Sequence, residues 1–479
     1  MTKKIITLLP VVFVIFLLQS FLLPGGEKNE EYIIIGWNDL GMHCANQDFS
    51  KLAVLPPYNN LNAQVIKRGN ETSWPEIVTT GMNVTYEVPG NTYSVGKTNF
   101  WDYEDQLFGV NLPDNTGLTG AGLTGDMEIN GTHFKIEGVP LTPFTDNNLT
   151  TEDPYQLALL SLYDSLNNLL ATTQPVIPVS NEINCVSSGC HNSEMNILYE
   201  HEQEGGFNPN NTPILCAECH SSNALGTPGS PGLESLSEVI HDKHKNHTND
   251  CYKCHPGPET QCHRGIMNQL GMVCQDCHGS VANVAQSIAQ GREPWLEEPN
   301  CGAVECHGPD YAEEPGLLFR QSKGHGGLYC SACHGSPHAI LPGNDRDNVQ
   351  NVALQGYAGI LQKCSVCHGI TPSGAGPHGL FATSVEEVSG ELPVAGLVGV
   401  SPNPAGNHIK VTIKLEQPTR ADLDVYALNG QKVVSLIKRR FPAGQYQVEV
   451  VTDMLENGTY LFVLNTRDGR SQQKVIISK

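Results

Sequence analysis

The sequence predicts a multidomain chain with three architectures in succession: a β-rich N-terminal module, a mostly irregular and α-helical middle, and a C-terminal β-sandwich. Three observations predict it. The 479 residues exceed what one hydrophobic core accommodates. Cysteine–histidine motifs crowd into the middle, while short β-type runs punctuated by Gly, Pro and Asn occupy both flanks. With 48 Gly, 31 Pro and 39% hydrophobic residues, the chain reads as turn-rich globular domains rather than long helices.

Lys3 and Lys4 precede an apolar run from Ile5 to Leu23 that closes at Pro24-Gly25-Gly26. This is the layout of a secretory signal, placed at 1–26. An uncleaved anchor is the alternative, because the run approaches bilayer-spanning length and no small-x-small cleavage site closes it. No other segment is apolar enough to cross a membrane, so membrane contact is expected only by surface attachment. A formal charge of −22 argues against nucleic acid as a partner, since phosphate binding needs a basic face. Residues 32–178 hold runs such as Tyr32-Ile33-Ile34-Ile35, Gln64-Val65-Ile66, Asn83 to Val88 and His133 to Ile136, the spacing of a β-sandwich or similar module.

Cysteine placement carries the chemistry. Ten of the 16 cysteines form five C-x-x-C pairs, each followed at once by histidine: Cys216 and Cys219 before His220, Cys251 and Cys254 before His255, Cys274 and Cys277 before His278, Cys330 and Cys333 before His334, and Cys364 and Cys367 before His368. This is the c-type haem attachment motif. Two thiols add to the two haem vinyl groups, and the adjacent imidazole reaches the iron as proximal ligand. Two wider pairs, Cys185 and Cys190 before His191 and Cys301 and Cys306 before His307, have C-x4-C-H spacing and lie among the others. They resemble stretches of small periplasmic tetrahaem cytochromes, and the alternative for each is a disulfide beside a chance histidine. Structural zinc also uses paired C-x-x-C, but it does not require histidine after every second cysteine. Disulfides alone suit an exported chain yet leave those histidines unexplained. Residues 181–378 are therefore expected to be a cytochrome domain with seven haem c groups.

Two cysteines are left over. Cys262 and Cys44 have no partner at motif spacing, and a disulfide between them is one arrangement. Asn38 to Cys44 and Leu55 to Asn59 resemble the N-terminal region of some large secreted multihaem cytochromes, a resemblance that assigns no activity. Met42 and His43 are candidate ligands across a domain interface or, alternatively, structural residues.

Once the proximal histidines are set aside, His201, His241, His244, His247, His263, His325, His338 and His378 remain in this domain. They suffice to give each of seven irons a second imidazole, with Met195, Met267 and Met272 as competitors. A helix is expected from Pro231 to about Asn246 with Ser230 as N-cap, presenting His241 and His244 as distal ligands to two haems. His201, His325 and His338 are the next candidates, each close in sequence to a motif. No C-x-x-C-K site occurs, which removes the lysine-ligated active haem of the nitrite-reductase type.

Residues 379–400, rich in Gly, Ser and Val, read as a linker. From 401 to 479, alternating strands follow a Ser401-Pro402-Asn403-Pro404 start, with Asn-Gly turns at 429–430 and 457–458. The Pro-Asn-Pro start, Asp424-Val425-Tyr426, Ala443-Gly444, Gly458-Thr459-Tyr460 and the lysine-containing last strand resemble the type A C-terminal sorting domain of type IX secretion. That resemblance implies a type IX machinery partner and passage through the periplasm to the outer surface or beyond.

The expected function is electron transfer between redox partner proteins or to an extracellular acceptor. A multihaem reductase of a small nitrogen or sulfur oxyanion, and a haem-bearing filament or adhesion subunit, are the alternatives. Ligand count separates carrier from enzyme, because an enzyme needs an iron with an open position.

Overall fold

A computed structural model describes residues 31–379 and 396–479, apart from 182, 257–259, 270, 304–305, 309–311, 341–344, 371, 373–375, 416, 428–431 and 468. The signal segment 1–26, most of the 379–400 linker and the turn at 429–430 lie outside the described residues. No described helix is long and apolar enough to cross a membrane.

Two antiparallel sheets build the N-terminal module. One runs Tyr32–Trp37, Asn60–Lys67, His133–Glu137, Glu128–Asn130, with Glu76–Ile77 at the edge of Asn60–Lys67. The other runs Leu169–Thr173, Leu159–Asp164, Met82–Glu87, Thr124–Asp126. Alternation places Ile34, Leu61, Ala63, Val65, Val84, Tyr86, Leu160 and Leu162 in one buried core between them.

Tyr32–Trp37 is buried on both faces. Ile34 faces that core, while Ile33, Ile35 and Trp37 turn the other way and pack with Ile66, Ala332 and Val366. Ala332 and Val366 belong to the last two cysteine–histidine motifs, so the strand is a floor for them. At its free edge the Gln350 side chain continues the ladder, accepting from Gly36 N (2.8 Å) and donating to Gly36 O (2.9 Å). Only glycine fits there: a Cβ on Gly36 would lie 2.6 Å from Leu160 Cδ1 and 2.7 Å from Pro175 Cγ.

The expected mostly irregular and α-helical cytochrome domain is not what the chain forms. The structure is β-rich, with 31% strand against 21% helix, and no cytochrome-like helical domain is evident among the described residues. The physical reason is helix length. The longest helices here, Glu194–Glu204 and Asp345–Gln355, have 11 residues each, too few to be stable alone. The segment instead leans on the N-terminal module: Leu215, Ala217 and Leu236 share a core with Phe49, Ala53 and Phe100, and strand Ile214–Leu215 pairs with Leu52–Ala53. The helix expected from Pro231 starts later, at Leu236, and ends at His244, with the Ser235 side chain accepting from Glu238 N. Gly232 at φ +84° and a turn from Leu233 N to Ser230 O keep the chain non-helical until then. No disulfide joins Cys44 to Cys262. Cys219 is exposed at the end of the single turn Cys216–Cys219.

The C-terminal unit is a sandwich of two antiparallel sheets. Gly396–Ser401, His408–Leu415 and Gly444–Val451 form one; Lys432–Phe441, Thr419–Ala427, Gly458–Thr466 and Gly469–Ile477 form the other. Ile409, Val411, Ile413, Leu423, Val425, Phe462, Leu464 and Val475 fill the space between. Its first strand begins inside the stretch read as linker, and edge strand Lys432–Phe441 escapes the alternating pattern because only Ile437 and Phe441 are buried. Burial of Asp424 would raise its carboxyl, but Lys432 and Ser435 hold it below the usual range.

His133, 7% exposed, lies with Nδ1 3.1 Å from the Tyr329 hydroxyl. Desolvation, then the charges of Lys135 and Lys323, push its pKa from 6.5 down to about 4. Between those values the unfolded chain takes up a proton that the folded chain refuses, so stability falls as pH drops through this window and is unaffected above it. Replacing His133 with phenylalanine is expected to shrink that loss by roughly 2–3 kcal/mol, measured by urea denaturation across the same pH range. An unchanged pH slope would show that His133 titrates as it does in the unfolded chain.

Candidate functional site

The seven motifs share one local closure despite their two widths. In the narrow form the histidine N–H bonds the carbonyl of the first cysteine four residues back, as in His220 N to Cys216 O (3.1 Å), His255 N to Cys251 O (3.1 Å) and His368 N to Cys364 O (3.0 Å). Cys274–His278 and Cys330–His334 are single helical turns with the same spacing. In the wide form the same bond closes over six residues, from His191 N to Cys185 O (3.1 Å) and from His307 N to Cys301 O (3.1 Å). In both widths, histidine N–H and first-cysteine carbonyl are joined by the same kind of bond.

The two thiols of a motif differ in their surroundings. Cys219 is the plainest case: it is exposed, whereas desolvation pushes the Cys216 thiol up to about 12. The helical turn is the reason. Cys216 and Ala217 pack with the core of Phe49 and Phe100, so the turn carries Cys219 to the outer side. Its backbone is still held, because Cys219 O accepts from Ser230 N (2.7 Å). Cys190, Cys277 and Cys306, the second cysteines of three other motifs, are exposed in the same way.

Six motif histidines each face a second histidine ring. The pairs and centroid separations are His191–His244 at 6.1 Å, His220–His201 at 6.1 Å, His255–His241 at 6.3 Å, His278–His338 at 6.2 Å, His368–His325 at 5.9 Å and His334–His378 at 5.9 Å. All five histidines singled out as distal candidates lie in these pairs. His378 was not among those five. Its signal was the dipeptide Pro377-His378, which like Pro337-His338 sits in a single 3-10 turn.

Local structure aims the rings. On helix Leu236–His244, His241 and His244 donate from Nδ1 to the carbonyls four residues earlier, Ser237 O (2.6 Å) and Ile240 O (2.7 Å). Because a carbonyl only accepts, Nδ1 carries the proton and Nε2 keeps its lone pair. His220 does the same to Glu234 O (2.8 Å), and His338 to Leu40 O (3.1 Å). His191 Nδ1 lies 3.4 Å from the Glu200 carboxylate. Desolvation lowers the pKa of His241, His278, His334 and His368, and holds His338 at about 4, keeping these imidazoles neutral as metal ligation requires.

The Asn38–Cys44 loop turns out to be the support of His338. Asn38 accepts from Leu40 N and Gly41 N and donates to Asn59 Oδ1 and Asn60 O, fixing the turn that offers Leu40 O to the ring. Gly41, at φ +94°, passes so close that a Cβ would meet Ser336 Oγ at 2.8 Å. Arg264 ties the loop down, donating to Gly41 O (2.6 Å) and to both Asp347 oxygens (2.7 and 2.8 Å). His43 is structural: it is 5% exposed and donates from Nε2 to Asp39.

The motifs also neighbour one another in a definite order. After desolvation, the next cause raising a motif thiol's pKa is the charge of a cysteine in another motif: Cys185 for Cys216, Cys185 and Cys190 for Cys254, Cys306 for Cys277, and Cys367 for Cys333. The Cys251 and Cys274 thiols are in hydrogen-bond contact, driving Cys274 down to about 7 and Cys251 up. They line a cavity of about 310 Å³ together with Tyr252, His263 and Met272. His334, finally, feels the charge of His307. Named by their histidines, the neighbouring motifs run from His220 through His191, His255, His278, His307 and His334 to His368.

Opposed imidazoles at this separation fit the two axial positions of a porphyrin iron. Two iron–nitrogen bonds of about 2 Å, with about 1.1 Å from each nitrogen to its ring centroid, put the centroids about 6 Å apart. Among the described residues no group of three or more His, Cys, Asp or Glu side chains could hold a bare metal ion. A porphyrin asks for less, since it supplies four ligands itself.

No curated protein matches the chain. Among solved structures, the dimeric latent PorU of Porphyromonas gingivalis aligns over 93% of this chain and 34% of its own, at 11% identity and a TM-score of 0.16, too low to bear on the fold. The chain thus spans about a third of that protein's length. Residues 399–478 match the family described as the secretion system C-terminal sorting domain, and they coincide with the C-terminal sandwich. That domain belongs to type IX secretion and marks its bearers for the cell surface or the extracellular space. The chain is therefore a secreted or surface-delivered protein that carries a type IX sorting domain and engages the type IX secretion machinery.

Proposed function

We propose that this protein moves electrons outside the cytoplasmic membrane through seven covalently bound c-type haems, serving redox partner proteins or an extracellular acceptor. The observation that carries the reading is the set of six opposed imidazole pairs, each joining a motif histidine to a histidine from elsewhere in the chain. Chance does not repeat one separation, 5.9–6.3 Å, six times on motif histidines. The motif cysteines would hold the haems, the motif histidines would be proximal ligands, and His201, His241, His244, His325, His338 and His378 the distal ones. Haem c, when bound, supplies one-electron chemistry at iron.

The chain's own residues do the rest. Backbone carbonyls on Nδ1 of His220, His241, His244 and His338 fix tautomer and ring direction, so these rings would hold a haem iron without reorienting. A second imidazole closes the position a substrate would need, which favours carrier over reductase. Nitrogen ligation on both sides also keeps potentials below those of methionine-ligated haems. The linear neighbour sequence of the motifs suits a path whose ends are the His220 and His368 motifs. At the latter, the edge of exposed Trp74 (76% exposed) meets His368 at 5.6 Å and lies at the surface where a partner would arrive.

Denaturing mass spectrometry of the mature protein is expected to show seven added haem masses. Five would remove the wide motifs, and none would refute the reading. Replacing His244 with alanine should convert one low-spin iron, that of His191, into one that binds carbon monoxide, with external imidazole restoring the original spectrum. An unaltered spectrum would dissociate His244 from any iron. Removing residues 396–479 should strand haem-loaded protein in the periplasm, scored by surface labelling. Normal surface delivery of the truncated chain would separate export from the C-terminal sandwich.

A further inference from the structure

We infer that Arg264 is a positioning residue for the haem iron between His278 and His338, acting through the N-terminal Asn38–Cys44 loop whose backbone aims the His338 ring. The inference rests on the haem reading above. It gives one arginine control over the strength of one iron–nitrogen bond, and with it over the potential of one haem.

The bonds around His338 form a closed circuit. Its ring, 6.2 Å from that of His278, donates from Nδ1 to Leu40 O (3.1 Å). The next carbonyl along the chain, Gly41 O, accepts from Arg264 Nη1 (2.6 Å), and the Arg264 backbone N–H returns to His338 O (2.8 Å). Asn38 Oδ1 holds the same turn from within, accepting from Leu40 N (3.0 Å) and Gly41 N (2.8 Å). The loop lies tight against its target: a Cβ on Gly41 would meet Ser336 Oγ at 2.8 Å and His338 Cβ at 3.0 Å. Moving the Arg264 side chain therefore moves the turn whose other carbonyl sets the direction of the ring. An Nδ1–H bond to a carbonyl also raises the basicity of the opposite nitrogen. Loosening it weakens that nitrogen as an iron ligand and favours the reduced state.

The guanidinium is itself held in one orientation. Nε and Nη2 donate to the two Asp347 carboxylate oxygens (2.7 and 2.8 Å), and the two side chains are only 8% and 3% exposed. Such a fork-to-fork pair fixes the guanidinium plane and leaves Nη1 directed at Gly41 O. The N-terminal module grips the same segment a second time. The Tyr155 ring lies 4.9 Å from Arg264 Cζ, and its hydroxyl donates to Gln261 O (2.9 Å). Lysine would keep the positive charge but cannot direct three donors at once, so it separates the geometry of Arg264 from its charge. A buried ion pair broken on one side is destabilising in any protein. What marks a positioning role is that a single iron responds.

The test compares full-length, haem-loaded Arg264→Lys with the wild type, by spectroscopic redox titration and with carbon monoxide as probe of the reduced protein. The expected result is a rise in the potential of one haem, the others unchanged, and carbon monoxide uptake increased by up to one per chain. His338→Ala should increase uptake by one in full, and Arg264→Lys added to it should increase uptake no further, because both changes act on the same iron. Where Arg264→Lys does not accumulate, Asp347→Asn, which keeps the bond to Gly41 O, is expected to shift the same haem in the same direction by less. Seven haems whose potentials and carbon monoxide uptake match the wild type in these variants would overturn this inference alone. Additive uptake in the double variant would overturn it as well, by placing the effect of Arg264 on another iron. A chain with no covalent haem would overturn the underlying reading together with this one.

Discussion

Everything in the N-terminal three quarters of the chain depends on one strand having two apolar faces. Tyr32–Trp37 turns Ile34 toward the sandwich and Ile33, Ile35 and Trp37 toward the cysteine–histidine motifs. Most antiparallel strands keep one face wet. Here the second face gives short, loop-rich peptide the apolar surface it lacks. The polar edge of the same sheet is used as fully. Gln350 on Gly36, Gln64 on Tyr329 N and Gly327 O, and Arg68 on Ser365 O each satisfy backbone groups of the motif-bearing segment with a side chain, or the reverse. A segment with little secondary structure of its own thereby avoids leaving buried amides unpaired.

The imidazole pairs share an economy of a different kind. Where a backbone carbonyl accepts from Nδ1, as at His220, His241, His244 and His338, it fixes the tautomer and the ring direction and leaves Nε2 free. Within a helix the carbonyl four residues back is available without any extra structure, which is how one short helix aims both His241 and His244. His338 has no helix, and the chain supplies Leu40 O from its far end. The Asn38–Cys44 stretch, which in the sequence suggested a ligand in His43, works as a scaffold for another histidine.

The sequence displayed the motifs far better than the architecture around them. Motif spacing is local, so the seven Cys–His clusters were legible, as was the alternation of Ile409, Val411 and Ile413 that builds the C-terminal sandwich. Spacing alone could not show that Cys219 points outward while Cys216 packs inward, because that depends on which side of the turn meets Phe49 and Phe100. The helical middle was misjudged because helix signals such as Ser230-Pro231 are local too, whereas what decides is the tertiary bond from Leu236 N to Ser221 O and the left-handed Gly232. Strand Lys432–Phe441 was invisible because an edge strand with Lys438, Arg439 and Arg440 on its surface has no period-two pattern to read. Which histidine meets which motif depends on contacts between residues far apart, so the sequence could name His201, His241, His244, His325 and His338 as candidates but not their partners.

The supports of the motifs reach back very far along the chain. Gln350 meets Gly36 across 314 positions, His338 meets Leu40 across 298, and Arg68 meets Ser365 across 297. Contacts of such separation close slowly, since the entropy of a long loop must be overcome before they stabilise anything. The N-terminal sandwich is made of nearer neighbours, so its core does not depend on these long-range contacts, whereas the motif segment depends on it for its floor.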